Sequence, residues 1–244
     1  MHQFEIQRWI PLDLAGYDAS ITNSSFYMIL AVILISGFLI LSMRGRSLVP
    51  TRLQSLSEIT YEYIANMVRE AVGPEGMKFF PWIFTIFVFV LVLNLIGMIP
   101  GQFTVTSHII VTFALAAMVW VTVTVIGFAK HGLGYLQLFV PHGVPLWLMP
   151  VIVPIELISY LIRPISHSVR LFANMMAGHT MLKVFAGFVI GLGSAGGILS
   201  LGGIAPLAFM VAFTGLEFVV AGLQALIFTL LACIYLNDAL NMHH

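Results

Sequence analysis

The sequence predicts an all-α polytopic membrane protein. It has five membrane helices plus one amphipathic surface helix, and the last two are long, strongly tilted and paired as a hairpin. Three observations carry this. Hydrophobic residues fill 60% of 244 positions and charged residues only 8%, against about 25% charged in an ordinary soluble domain, so lipid must cover most of the outside. Apolar runs recur near the roughly 20 residues a helix needs to cross a bilayer core of about 30 Å. Residues 148–244 hold two apolar stretches far longer than that minimum.

The balance of charge excludes other classes. The formal net charge is zero, so no basic field exists to hold nucleic acid. A single cysteine, Cys233, excludes a disulfide framework and a Cys-rich metal site and reads as a small packed residue. No phosphate-binding loop is present, so the isolated chain is not expected to catalyse a reaction. No metal or cofactor is expected.

The elements follow in order. Residues 1–25 contain Glu5, Arg8, Asp13 and Asp18 and lack the basic then apolar pattern of a cleavable signal, so they form an N-terminal segment outside the membrane. Residues 26–43 are the first membrane helix. Residues 44–78 are the most polar stretch, and within them Leu56, Ile59, Tyr63, Ile64, Met67 and Val68 recur at helical spacing with Glu58, Glu62, Arg69 and Glu70 between. That is an amphipathic helix lying on the membrane surface. Residues 79–129 form a two-span hairpin, 79–99 and 108–129, turned at Pro100-Gly101. Residues 130–147 read as a loop. Residues 148–190 and 204–240 are the long helices, joined by a glycine-rich turn over 191–203, with a bend expected near Pro164. Arg44, Arg46 and Arg52 follow the first span, so the positive-inside rule places residues 44–78 on the cytoplasmic side and the N-terminus outside.

The chemistry lies in residues 148–244, the long tilted hairpin. Glu156, Tyr160, Arg163, His167, Arg170, Asn174 and Ala177 are spaced 4, 3, 4, 3, 4, 3, which is one stripe of a helix. Ser159 and Ser166 lie beside it. Lipid offers polar groups no partners, so this stripe must face protein or water. On the second long helix, Glu217, Ala221, Gln224, Phe228, Leu231, Tyr235 and Asp238 repeat the spacing. Antiparallel pairing brings Glu217 to His179 at one end and Glu156 toward Tyr235 and Asp238 at the other, with Arg170 between. Arg163 and Lys183 read as side chains snorkelling at helix ends.

Two polar pockets with a fixed cation between them suit movement of charge. His and Glu exchange protons near ambient pH when their environment allows, whereas Arg effectively never loses its proton. Burying Arg170 unpaired costs between about 2.5 and 17 kcal/mol. Glu156 is about four turns, roughly 21 Å, away along its own helix, so a carboxylate from another chain is expected. Ala173, Ala177 and Gly178 leave room for another helix to approach.

Two rival classes share some of these features. A secondary cation/proton antiporter also buries Glu, His and Arg in its spans, but it normally carries an internal repeat, and none is evident. A haem-binding electron carrier would use His167 and His179 as axial ligands. They lie 12 residues apart on different helical faces, so one haem cannot use both.

The run Arg170-Leu-Phe-Ala-Asn174-Met-Met-Ala-Gly178-His179 resembles the signature of subunit a of the F-type ATP synthase. The similarity extends to Glu156, to Glu217, Gln224-Ala225 and Tyr235, and to Asn94-Leu-Ile-Gly-Met-Ile-Pro100. It covers most of the chain after about residue 79. The resemblance implies a proton-channel stator subunit whose two offset half-channels serve a rotating ring of c subunits. Arg170 would face that ring, with Asn174 and Gln224 as polar neighbours. His179 and Glu217 would carry protons in the half-channel open to the outside, lined by Asn94. Glu156, Ser159, Ser166 and Tyr235 would serve the path open to the inside.

The His179/Glu217 pair resembles the mitochondrial and alphaproteobacterial form, and Gly97 stands where some members carry an acid. Implied partners are the c ring, peripheral-stalk b subunits, the rest of the complex and membrane lipid, with no nucleic acid. The implied location is the bacterial inner membrane, with the mitochondrial inner membrane as the alternative.

Overall fold

A computed structural model describes residues 8–10, 13–14, 17–18, 20–44, 50–99, 103–140, 148–194, 196 and 202–241. Glu5, Arg46, the Pro100-Gly101 turn and most of the glycine-rich turn between the long helices lie outside the described residues.

The described residues form six α-helices. They are α1 (Asn23–Met43), α2 (Arg52–Ala71), α3 (Phe80–Gly97), α4 (Ile109–His131), α5 (Met149–Ser194) and α6 (Ile204–Leu240). All but α2 are long and apolar enough to cross a membrane. Ahead of α1, short strands among the described residues pair in two separate two-stranded ladders: β1 (Arg8–Ile10) with β4 (Ile21–Thr22), and β2 (Asp13–Leu14) with β3 (Tyr17–Asp18).

Local chemistry explains the helix starts. Thr22 and Thr51 precede α1 and α2, and each side chain accepts the backbone N–H three residues on, satisfying one of the donors every helix leaves orphaned. Helix α5 runs through Pro154 and Pro164 without interruption. Each proline removes a backbone hydrogen bond, a loss that neighbouring helices make tolerable inside a membrane. At about 1.5 Å per residue, the 46 residues of α5 and 37 of α6 far exceed the bilayer core. Both must tilt steeply or protrude.

Two stretches read as loop or turn are more ordered than sequence suggested. Residues Gly132–Phe139 form a 3-10 helix, and α5 continues to Ser194, into the start of the glycine-rich segment. The 3-10 helix exists because Tyr135 is pulled into the core at 1% exposure, a tertiary contact that local spacing does not encode.

The main core joins α2, α3, α4, α5 and α6 through Ile64, Val68, Ile83, Val90, Val119, Leu171 and Leu236. Helix α6 reaches the centre because its inward face is small: Ala221, Ala225, Ala232, Cys233 and Ala239 are fully buried. Small side chains let helix backbones approach closely where lipid gives no hydrophobic drive to associate. The expectation of Cys233 as a packed residue fits that face. Large apolar residues such as Ile33, Ile40, Ile110 and Val125 stay exposed, as a lipid-covered surface requires.

Candidate functional site

Two contacts mark the register of the α5–α6 pair. Arg163 Nη1 donates to Asp238 Oδ2 at 2.9 Å, and His179 Nδ1 lies 3.8 Å from Glu217 Oε1. The residues run in opposite order on the two helices, so the hairpin is antiparallel. Each contact anchors one polar cluster.

The first cluster surrounds Glu217. Its side chain is 4% exposed, and neither carboxyl oxygen has a hydrogen-bond partner among the described residues. An ionised carboxylate in such a place is costly without a cation beside it. The space it occupies comes from Gly178, because a Cβ added there would stand 2.5 Å from Glu217 Oε1. This corrects the reading of Gly178 as room for an outside helix: its missing side chain admits the carboxyl group of α6. Ala173 and Ala177 do remain on the exposed face.

Asn94 is fully buried. It donates from Nδ2 to the Ala221 carbonyl at 3.2 Å, one turn past Glu217. Its Oδ1 has no partner among the described residues. The other nitrogen of His179, Nε2, lies 3.1 Å from Thr104 Oγ1. Residues 103–107, joining α3 to α4, are folded inward and buried. Sequence reasoning missed Thr104 because nothing periodic marks that segment.

The second cluster surrounds Arg163. Its guanidinium pairs with Asp238 and lies over the rings of Tyr160 and Tyr235, 5.6 Å and 5.3 Å from their centroids. Together Glu156, Tyr160, Arg163, Asp238 and Asn241 line a cavity of about 80 Å³ with Leu138 and Phe139. Polar groups continue inward from it: Tyr160 Oη contacts Thr124 Oγ1 and lies 3.1 Å from Tyr135 Oη. Arg163 therefore does not snorkel freely. Its partner Asp238 was visible on the α6 stripe, but the pairing depends on a register that sequence does not print. The Lys183 ammonium is likewise shielded from solvent.

Between the clusters lies His167, 2% exposed, with its ring centroid 3.7 Å from that of Phe228 and 6.0 Å from that of Tyr235. Gln224 is buried and Asn174 half-buried. Arg170 is exposed on the outer side of α5, beside exposed Ile162, Ile165 and Val169. Among the described residues, no carboxylate lies within ion-pair distance of it. Ser159 and Ser166 are also exposed, on this outer surface rather than in the cavity.

The structure thus brings together Glu217 with His179, Asn94 with the backbone of α6, and Glu156 and Tyr235 with Arg163. It leaves Arg170, Ser159 and Ser166 on an open apolar face.

Residues 25–237 match the family model described as ATP synthase A chain. The chain is 58% identical over its full length to "ATP synthase subunit a" of Mesorhizobium japonicum, covering 97% of that protein. It is 57% identical to "ATP synthase subunit a 1" of Brucella anthropi and to "ATP synthase subunit a" of Brucella canis, covering 98% of each.

Proposed function

Because this chain belongs to the ATP synthase A chain family, we propose that its two polar clusters are offset proton half-channels that meet a partner's carboxylates at Arg170. Membership makes it a multi-pass membrane protein and the non-catalytic, proton-translocating subunit of the membrane sector, working in complex with other subunits. The finer assignment is that the partner at Arg170 is the c ring, that peripheral-stalk b subunits hold the chain static, and that the membrane is the bacterial inner membrane.

The observation that carries the assignment is Arg170 itself. A guanidinium on an exposed apolar face, with no carboxylate near it among the described residues, is expensive in lipid. It becomes stable when a neighbouring subunit presents a carboxylate there. Arg170 stands seven residues after Arg163 and nine before His179, which is roughly 10 Å and 14 Å along the helix. It therefore lies between the clusters in height, on the same stripe of α5 as Arg163 and across the helix from His179.

The mechanism follows from that placement. A proton enters through Glu217 and His179, past Asn94, and reaches a ring carboxylate. That carboxylate, once neutral, can move into lipid. On its return it releases the proton toward the cavity of Glu156, Tyr160, Arg163 and Asp238, with the Tyr235 ring against Arg163 and Ser159 and Ser166 on the approach. Arg170 drives the release, since a nearby Arg lowers a carboxylate pKa by about 1–3 units. It also blocks a direct path, because a permanent cation repels hydronium. Asn174 and Gln224 supply polar surroundings to the exchange. Each proton crossing yields about 2.3 kcal/mol per 100 mV of potential, and rotation is the route by which it crosses.

Accessibility tests the offset half-channels. In a Cys233→Ala background, cysteine placed at Asn94 and at Tyr235 is challenged in the intact complex with a membrane-impermeant thiol reagent. The reading expects position 94 to react from one side only and position 235 from the opposite side only. Reaction of both from the same side would sink it.

A further inference from the structure

We infer that Thr104 sets which nitrogen of His179 carries the ring proton, so that His179 presents an open Nδ1 lone pair to Glu217. The inference rests on the reading that His179 and Glu217 lie on the proton path, and it names a positioning residue for that path.

A threonine hydroxyl has one proton to donate and two lone pairs. Thr104 Oγ1 donates to the Gly97 carbonyl at 3.2 Å. Gly97 is the last residue of α3, where helix geometry supplies no N–H to the carbonyl, so this acceptor needs a donor from elsewhere. With its proton committed, the hydroxyl can only accept at its 3.1 Å contact with His179 Nε2. Nε2 must then carry hydrogen. In a neutral imidazole the other nitrogen is then a bare acceptor, and Nδ1 is the nitrogen facing Glu217 Oε1 at 3.8 Å.

Thr104 is held on several sides. It is 3% exposed. Ser107 Oγ donates to its carbonyl at 2.7 Å. Its methyl sits against Gly97, where an added Cβ would stand 2.7 Å from Thr104 Cγ2. The hydroxyl therefore has little freedom to turn away. The groups facing His179 are Thr104 from the α3–α4 connection, Glu217 from α6 and Lys183 one turn along α5.

The consequence is a reversible proton exchange between the two groups. A proton on Glu217 Oε1 transfers to Nδ1 when the 3.8 Å gap closes to hydrogen-bond length, about 2.7–3.2 Å. The carboxyl becomes carboxylate and the ring becomes imidazolium, still tethered by its Nε2–H. The proton returns by the same atoms. Without the Thr104 hydroxyl, the Nε2–H is buried without an acceptor, and the ring proton shifts to Nδ1. It then points a donor at Glu217 and occupies the acceptor the exchange needs.

The experiment uses the intact complex reconstituted in liposomes and stripped of its catalytic head, with passive proton flux driven by a potassium diffusion potential. Thr104→Val is expected to lower flux about tenfold, which corresponds to about 1.4 kcal/mol. Thr104→Ser, which restores the hydroxyl, is expected to return it to within about twofold of wild type. Wild-type flux in Thr104→Val, or equal losses in the Val and Ser variants, overturns the inference. His179→Gln separates the levels: if it conducts normally, the underlying path is wrong, whereas if it fails and Thr104→Val does not, only the role of Thr104 falls. A second readout needs no Thr104 variant. Nitrogen-15 spectra of histidine-labelled complex, with His179 identified by difference against His179→Gln, are expected to show a protonated Nε2 and a bare Nδ1, and the reverse pattern overturns the inference.

Discussion

Replacing Gly178 by alanine perturbs the proposed proton path at a place where the structure gives the displacement. The new Cβ would stand 2.5 Å from Glu217 Oε1, 3.0 Å from its Cδ and 3.3 Å from its Cγ. The atom in the way is the end of a flexible side chain, so the fold survives by moving the carboxyl about 0.9 Å to ordinary contact at roughly 3.4 Å. Stability is expected to change little, since alanine is better than glycine in a helix by about 0.8–1.0 kcal/mol, which offsets the strain. Function is expected to change much more. A displacement near 1 Å in a reacting pair can cost about 10²-fold in rate, and the Glu217–His179 gap already stands at 3.8 Å.

The assay is passive proton flux through head-stripped complexes at matched assembly, compared with Gly187→Ala on the same helix, where an added Cβ meets nothing within 4 Å. A loss between about tenfold and hundredfold for Gly178→Ala, with near-normal flux for Gly187→Ala, is expected. Equal flux in the two variants would refute the idea that the position of the Glu217 carboxyl governs conduction.

The remaining predictions concern the other cluster and the cation. The Arg163–Asp238 pair is about a third exposed on each side, so its worth is discounted for solvent, and a double-mutant cycle on thermal stability should give a coupling of about 1 kcal/mol or less. A coupling above about 2 kcal/mol would mean that the pair holds the hairpin together rather than shaping the cavity. Arg170→Lys is expected to abolish ATP synthesis although charge is retained, because lysine lacks the planar fork and can lose its proton. Synthesis at a near-normal rate in that variant would remove the special role of the guanidinium.

What sequence could and could not show divides along physical lines. Membrane helices depend on composition over a window, so α6 appears at residues 204–240 as expected and the other spans differ only at their ends. The approach of His179 to Glu217 was also legible, because a glycine-rich turn between two long helices implies antiparallel pairing and the stripes then meet. Contacts across register were not legible. Arg163 looked like a helix-end side chain until Asp238 stood 2.9 Å away. Gly178 looked like space for a partner until the Glu217 carboxyl filled it. Thr104 meets His179 across 75 residues of chain from a segment with no helical or strand period, and only the folded backbone brings it there. Ser159 and Ser166 flank the stripe in sequence, but the turn of the helix carries them to the outer face.

The most direct test of the central claim is ATP-driven proton pumping in inverted membrane vesicles, wild type against Arg170→Ala at matched assembly. The account predicts that pumping vanishes in the variant while the complex still assembles. Pumping at the wild-type rate would contradict it, because Arg170 would then lie off the coupling path and the two clusters would need another explanation.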